Sequence, residues 1–278
     1  MNSEIMIEQN AKVRFNKKVA RETYLMGLES SEIAAEARPG HFVMIRVREG
    51  TDPLLRRPFS VCGTEKDRLF HILYRVVGPG TSIMSAVRKG DTLSVLGPLG
   101  NGFELPGPGE TPILLAGGIG IAPILFLAGF VGKDDALLMA GFRTAEDIVD
   151  FKACGLSGFP ISLATDDGTV GQKGFVTDLL KGHLDEIKTT NPLVFACGPA
   201  PMLKKVAAMI QDRGIPGQVS LEAYMACGVG ACQGCAVKAA SMEDQVYFSV
   251  CKHGPVFDAA SLDWGRLPDA SRSYGITS

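Results

Sequence analysis

The sequence predicts a multi-domain chain: an antiparallel β-barrel, then an α/β domain on a parallel sheet, then a small cysteine-bearing C-terminal subdomain. Three observations carry this. A chain of 278 residues has room for two domains at about 150 residues each. With 46% hydrophobic and 21% charged residues, it can bury real cores and does not have the composition of a disordered chain. The rhythm of the chain also changes twice, at the turn-rich Leu105-Pro106-Gly107-Pro108-Gly109 and again near Tyr224. These changes place the boundaries at 1–106, 107–222 and 223–278.

The first part reads as short strands. His41 to Arg48, Pro58 to Gly63, Leu69 to Val77 and Thr92 to Leu96 are β-rich runs bounded by turn residues. Several such strands at short intervals suggest a small barrel. One helix is expected from Thr81-Ser82 to Lys89, with Thr81 as its N-cap. Beyond the linker, strands at 112–116, 136–142, 161–165 and 192–196 alternate with helical stretches, one starting near Gly174 and one over Pro201 to Arg213. That alternation implies a parallel sheet covered on both faces.

Charge and hydropathy exclude two classes. Lys plus Arg is 28 against 30 for Asp plus Glu, a net charge of −2, so a general nucleic-acid partner is not expected. Thr111 to Gly132 holds no charge, but prolines and the run Gly117-Gly118-Ile119-Gly120 break it. It reads as a buried strand, a turn and a buried helix, with no membrane span. The N-terminus shows no apolar block of the secretory kind, and a cytoplasmic location is expected.

Seven cysteines without an export signal argue against a disulfide framework. Cys227, Cys232, Cys235 and Cys251 are spaced C-x4-C-x2-C-x15-C, and the first three match the plant-type [2Fe–2S] spacing. Gly228, Gly230 and Gly234 would let the loop aim backbone N–H groups at cluster sulfurs. The competing reading is a four-cysteine zinc site, although zinc sites more often pair two C-x2-C knuckles. Cys62, Cys154 and Cys197 read as ordinary thiols, and no acid–base or nucleophilic triad stands out.

Two further sets of residues suggest ligand sites. Arg57-Pro58-Phe59-Ser60 enters a strand, and Leu73-Tyr74-Arg75 offers an aromatic surface and a second cation. Gly78-Pro79-Gly80-Thr81 opens a helix, a natural position for a phosphate. In the second domain, Ala116-Gly117-Gly118-Ile119-Gly120-Ile121-Ala122-Pro123 joins a strand to a helix, and Cys197-Gly198-Pro199 follows a late strand. Glycines there permit close approach of a pyrophosphate. Asp166-Asp167-Gly168 ends a strand where acidic side chains would repel a 2′-phosphate.

In this order the motifs resemble the ferredoxin reductase-like flavoproteins, whose barrel binds FAD through R-x-[YF]-[ST] and G-x-x-[ST], and whose second domain binds a nicotinamide through G-G-x-G-x-[AT]-P and C-G-P. The resemblance implies that Ser60 faces the isoalloxazine, while Arg57 and the Gly80 and Thr81 amides hold the pyrophosphate or ribityl region. Gly117, Gly118, Gly120, Cys197, Gly198 and Pro199 would then line the NAD site. Over nearly its full length the chain resembles the electron transfer subunits of dihydroorotate dehydrogenase B. Leu54 to Ser60, Gly97-Pro98-Leu99-Gly100-Asn101-Gly102-Phe103, Gly174 to Asp178, Cys197 to Met202 and Met225 to Cys232 carry the match. One position departs, since Tyr224 stands where a basic residue is expected. This family implies electron flow from an FMN-containing catalytic subunit through [2Fe–2S] and FAD to NAD⁺, in pyrimidine biosynthesis, within a heterotetramer of two of each subunit. The alternatives are a flavoprotein subunit of the NAD(P)H–ferredoxin or sulfide dehydrogenase kind, and a redox-inert interaction module held by zinc.

Overall fold

Alternation along the strands decides where the first core forms. A computed structural model describes residues 7–66, 68–134, 136–186, 190–241 and 246–267. Six strands, β1 (Ile7–Ala20), β2 (Thr23–Glu29), β3 (Phe42–Arg46), β4 (Arg57–Glu65), β5 (Leu69–Arg75) and β6 (Thr92–Leu99), close into a barrel in the order β1-β2-β5-β4-β3-β6. Every pair is antiparallel. In β6, Leu93 and Val95 point into the barrel, where they meet Val13, Met26, Val43, Ile72 and Tyr74. Closure pairs each of these strands with two neighbours, so none is a free edge strand. Helix α1 (Ser31–Glu36) starts at Ser30, whose hydroxyl accepts the Ile33 amide at 3.1 Å. Helix α2 (Pro79–Ser85) corrects the expectation of a helix over 81–89. Pro79 sits in the first turn, where its missing N–H costs nothing, so the helix begins earlier and Gly78 is the N-cap. Thr81 lies inside the first turn, and its hydroxyl accepts the Val77 and Gly78 amides at 2.9 and 3.2 Å.

The second unit runs β7 (Thr111–Gly117), α3 (Ile121–Val131), β8 (Leu137–Phe142), β9 (Ile161–Thr165), β10 (Gln172–Lys173), α4 (Val176–Glu186), β11 (Pro192–Cys197), α5 (Ala200–Gln211) and β12 (Gly217–Ser220). These strands pair in parallel. Ile113 and Leu115 face α4 and α5, while Leu114 and Ala116 face α3. The charge-free stretch is the strand β7, a turn and the buried helix α3, as its breaks suggest. Helix α3 packs between the sheet and the barrel strand β4, which explains why it is apolar nearly all round. No described helix is long and apolar enough to cross a membrane.

The remaining elements are β13 (Ala236–Lys238), β14 (Tyr247–Ser249), α6 (Val250–His253) and β15 (Val256–Asp258). Strands β13 and β14 form a small ribbon. Strand β15 adds to the large sheet antiparallel to β12, giving the order β10-β9-β8-β7-β11-β12-β15. The sheet is therefore mixed, where an all-parallel one was expected. Cys235, Val237, Val250 and Cys251 share a core with the barrel residues Phe42, Met44 and Leu99 and with helices α4 and α5. Asn101 fastens this junction: its amide N–H donates to the Gly254 carbonyl at 2.6 Å and its Nδ2 to that of His253 at 3.0 Å.

Candidate functional site

The cysteine loop runs from 227 to 235 and meets Cys251 at the start of α6. Gly228 has φ +76°, and a Cβ there would lie 2.6 Å from Met44 Cγ of the barrel. A side-chain-bearing residue is thus disfavoured twice, by backbone conformation and by space. Five amides point at the sulfurs. Val229 and Cys232 donate to Cys227 Sγ, each at 3.4 Å, and Gly230 donates to Cys251 Sγ at 3.1 Å. Gly234 donates to Cys232 Sγ at 3.5 Å and Cys251 to Cys235 Sγ at 3.4 Å. Cys235 and Cys251 are buried, with their sulfurs 3.3 Å apart, and the Cys232 thiol reaches the Cys227 sulfur.

The sulfurs thus form two pairs. Two pairs suit two irons with two thiolates each better than one tetrahedral zinc. The electrostatics agree. Burial opposes the Cys227 thiolate, but the amides of Val229 and Cys232 outweigh it and bring the thiol down to about 6. Cys251 is pushed up to about 12 by burial and by its neighbour Cys235. A bound cation would offset the second effect.

On the barrel, β4 and β5 pair only between Val61/Ile72 and Glu65/Leu69. Beyond Val61 the strands part. Arg57 to Ser60 stay with β3, and Leu73 to Arg75 stay with β2. The ladder's end leaves a notch between Ser60 and Leu73, where a polar ring edge could meet backbone groups. Arg57 reaches across it, since a Cβ on Gly80 would lie 3.2 Å from Arg57 Nε. The guanidinium therefore stands over the first turn of α2. There Gly80 and Thr81 present amides without intrahelical acceptors. Phe59 turns into the barrel core and Pro58 is half-buried beside Ser60.

Two side chains of β5 have partners within the protein. Tyr74 is 1% exposed, its ring stacked on Tyr24 at 5.7 Å and edge-on to Phe59 at 5.9 Å. Its hydroxyl donates to Asn16 Oδ1 at 3.0 Å. It is a core residue of the barrel and offers no open aromatic surface. Arg75 is not a free cation, because its Nη2 lies 3.3 Å from Asp147 Oδ1 of the second domain. Leu73 turns out of the barrel into the core shared with α3.

The nicotinamide motifs meet at the point where the sheet order reverses. Strand β7 lies between β8, which follows it in sequence, and β11, which arrives from the other side. In open α/β sheets, ligands bind in the crevice at such a switch point. The turns after β7 and β11 flank it. A Cβ on Gly120 would lie 2.5 Å from the Cys197 carbonyl oxygen, and one on Gly117 would lie 2.5 Å from Met202 Sδ. One on Gly198 would lie 3.1 Å from Gly117 Cα. The two turns are thus in backbone contact, which only residues without side chains allow. A narrow cleft beside them is lined by Gly198, Pro199, Ala200, Leu203, Leu221, Glu222 and Leu267. Burial, and then the charge of Glu222, pushes the Cys197 thiol up. A wider cavity of about 480 Å³ near Arg14, Lys66 and Lys89 touches none of these motifs.

At the end of β9, burial raises the Asp166 carboxyl. The hydroxyl and amide of Thr169 donate to Asp167 at 2.7 and 3.0 Å and hold its carboxyl low. Sequence reasoning did not single out Asp147, Arg21, Asn16 or Glu222. Each acts through a partner far away in sequence, and no local spacing marks it.

Comparison with known proteins places these features together. Residues 222–263 match the family model described as the iron–sulfur cluster binding domain of dihydroorotate dehydrogenase B. A dihydroorotate dehydrogenase B (NAD⁺) electron transfer subunit of Desulforamulus reducens is 40% identical over 259 residues, covering 92% of this chain and 98% of the relative. Its counterpart in Fusobacterium nucleatum is 36% identical over 267 residues, with the same two shares. Among solved structures, a chain from the NADH-dependent reduced ferredoxin–NADP oxidoreductase superposes with TM-score 0.79 at 29% identity, covering 92% of this chain and 90% of that one.

Proposed function

Given that the chain belongs to the family of dihydroorotate dehydrogenase B (NAD⁺) electron transfer subunits, we propose that it carries electrons from an FMN-containing catalytic subunit to NAD⁺ through the residues described above. The family relation assigns FAD, NAD and an iron–sulfur centre to the chain. When bound, FAD exchanges electrons in pairs or singly, the iron–sulfur centre exchanges them singly, and the nicotinamide takes them as hydride. The observation that best supports the reading is the loop of four cysteines in two pairs, met by five backbone amides. Those amides stabilise thiolate charge and so favour iron over protons on sulfur.

The chain's own residues have distinct tasks. Cys227, Cys232, Cys235 and Cys251 would hold the two irons. Arg57, with the Gly80 and Thr81 amides, would hold the FAD phosphates, and Ser60 would meet the polar ring edge in the notch between β4 and β5. Gly117, Gly118, Gly120, Gly198 and Pro199 would let the coenzyme lie against backbone at the switch point. Cys232, Tyr224 and Val229 are exposed around the loop, which supports this face as the docking surface for the catalytic subunit.

Two measurements test the ligand assignments. Arg57→Ala should weaken FAD retention about 10- to 150-fold, since a charge-assisted phosphate contact contributes roughly 1.5–3 kcal/mol. Flavin occupancy measured at low FAD reads this directly, and wild-type retention would remove Arg57 from the site. The coenzyme assignment predicts that NADH reduces an artificial dye through this chain with a higher kcat/KM than NADPH. Asp167, whose carboxyl Thr169 holds low, would stand beside the ribose and repel a 2′-phosphate. Equal values for the two coenzymes, or an NADPH preference, would defeat that assignment.

A further inference from the structure

Asp147 lies just after β8 and is 6% exposed, yet its carboxylate takes both of its charged partners from the barrel. Arg21, in the turn between β1 and β2, grips it with two bonds, Nε to Oδ1 at 3.1 Å and Nη2 to Oδ2 at 2.7 Å. Arg75, the last residue of β5, adds Nη2 to Oδ1 at 3.3 Å, and the Thr144 hydroxyl lies 3.4 Å from Oδ2. Two backbone bonds cross the same seam: Arg21 N–H to the Glu146 carbonyl at 2.9 Å, and Asp150 N–H to the Val19 carbonyl at 3.0 Å. Planar guanidinium pairs of this kind fix orientation as well as distance.

The seam joins two things that must keep a fixed separation. On one side, the segment 142–145 supports the acidic loop after β9. The Phe142 and Arg143 carbonyls accept the Asp166 and Asp167 amides, and the Ala145 amide donates to Thr169 Oγ1 at 2.9 Å. On the other side, Arg75 ends the strand that borders the flavin notch. We propose that Asp147 is a positioning residue for hydride transfer, holding the coenzyme domain against the flavin strand through Arg21 and Arg75. The inference rests on the placement of FAD and NAD given above. It adds a residue that touches neither cofactor.

The reaction it governs is NADH + H⁺ + FAD → NAD⁺ + FADH₂, in which the nicotinamide loses a hydride and solvent supplies the proton. Small misplacements of reacting atoms can cost up to about 100-fold in rate. In the holoprotein, Asp147→Asn and Arg21→Ala should each lower the limiting rate of flavin reduction by NADH at least ~10-fold. They should also weaken the long-wavelength NADH–flavin charge-transfer band, with FAD and iron contents unchanged and the NADH Kd within about threefold of wild type. Arg21→Lys, which keeps the charge, should recover part of the rate. Amide exchange at Arg21 and Asp150, measured without NADH, should quicken in Asp147→Asn as the seam loosens. A wild-type limiting rate and band in Asp147→Asn would overturn the proposal. So would a rate loss fully matched by lost flavin or a weakened NADH Kd. If NADH fails to reduce flavin in the wild-type protein, the underlying cofactor placement fails instead.

Discussion

Cys251→Ser should strip the protein of its iron–sulfur centre. Iron and acid-labile sulfide are expected to fall from about two of each per chain to near zero. A hydroxyl is a poor substitute for thiolate at iron near neutral pH, and this position has little freedom to compensate. Cys251 is 3% exposed, at the start of α6, with its sulfur 3.3 Å from Cys235 Sγ and accepting the Gly230 amide. Water cannot easily take the vacated place in that packed core. Cys235→Ser should behave alike. Cys227→Ser and Cys232→Ser, nearer the surface, should lose the centre with more residual iron. The contrast variant is Cys154→Ser: this thiol is only partly buried and packs in the α3 core, and burial pushes it up to about 12. Its loss should leave iron and sulfide at wild-type levels. Full iron in Cys251→Ser would remove the fourth ligand and with it the two-pair arrangement.

How much of this was legible in the sequence follows from the range of the forces involved. The cysteine spacing and the glycines at 228 and 230 report a local loop, and local geometry is what short-range sequence encodes. The break of the charge-free stretch into β7, a turn and α3 was legible for the same reason: proline and glycine act where they stand. The first two barrel strands were not. In Ile7–Ala20, Arg14, Lys17 and Lys18 interrupt the apolar alternation and the bulges near Arg14 and Val19 break the period of two, while Thr23–Glu29 is buried along most of its length and shows no alternation. The burial of Tyr74 is not legible in the sequence either, because exposure cannot be read from residue type. Only the closed barrel shows that its ring lies inside, over Tyr24. The same limit hid Asp147, whose partners Arg21 and Arg75 are 126 and 72 residues away. It also hid β15, since an antiparallel edge strand after the cysteine loop carries no crossover helix to announce it. The motif around Asn101 carried the family resemblance, but its physical task, tying barrel to cluster segment through Gly254 and His253, appears only in three dimensions.

The second large effect concerns the partner. The family relation gives this chain FAD, NAD and an iron–sulfur centre and the electron-transfer role, which leaves oxidation of the dihydropyrimidine to a catalytic partner. Two of the four histidines are held within the packing of the fold. His41, a half-buried histidine, is held neutral at about 4 by burial and by the charge of Arg38. Its Nδ1 accepts the Arg38 amide at 3.2 Å. His71 is likewise lowered by burial, within the packing against Phe15. The holoprotein alone should therefore pass electrons from NADH to an artificial dye at a measurable rate and leave dihydroorotate untouched. The most direct measurement is orotate formation with NAD⁺ as acceptor, recorded for this chain alone, for the FMN-containing catalytic subunit alone, and for the two mixed. The account predicts NAD⁺-dependent orotate only in the mixture, lost again when Cys251→Ser replaces the wild-type chain. Turnover of dihydroorotate by this chain alone, or a mixture no more active with NAD⁺ than the catalytic subunit by itself, would contradict it.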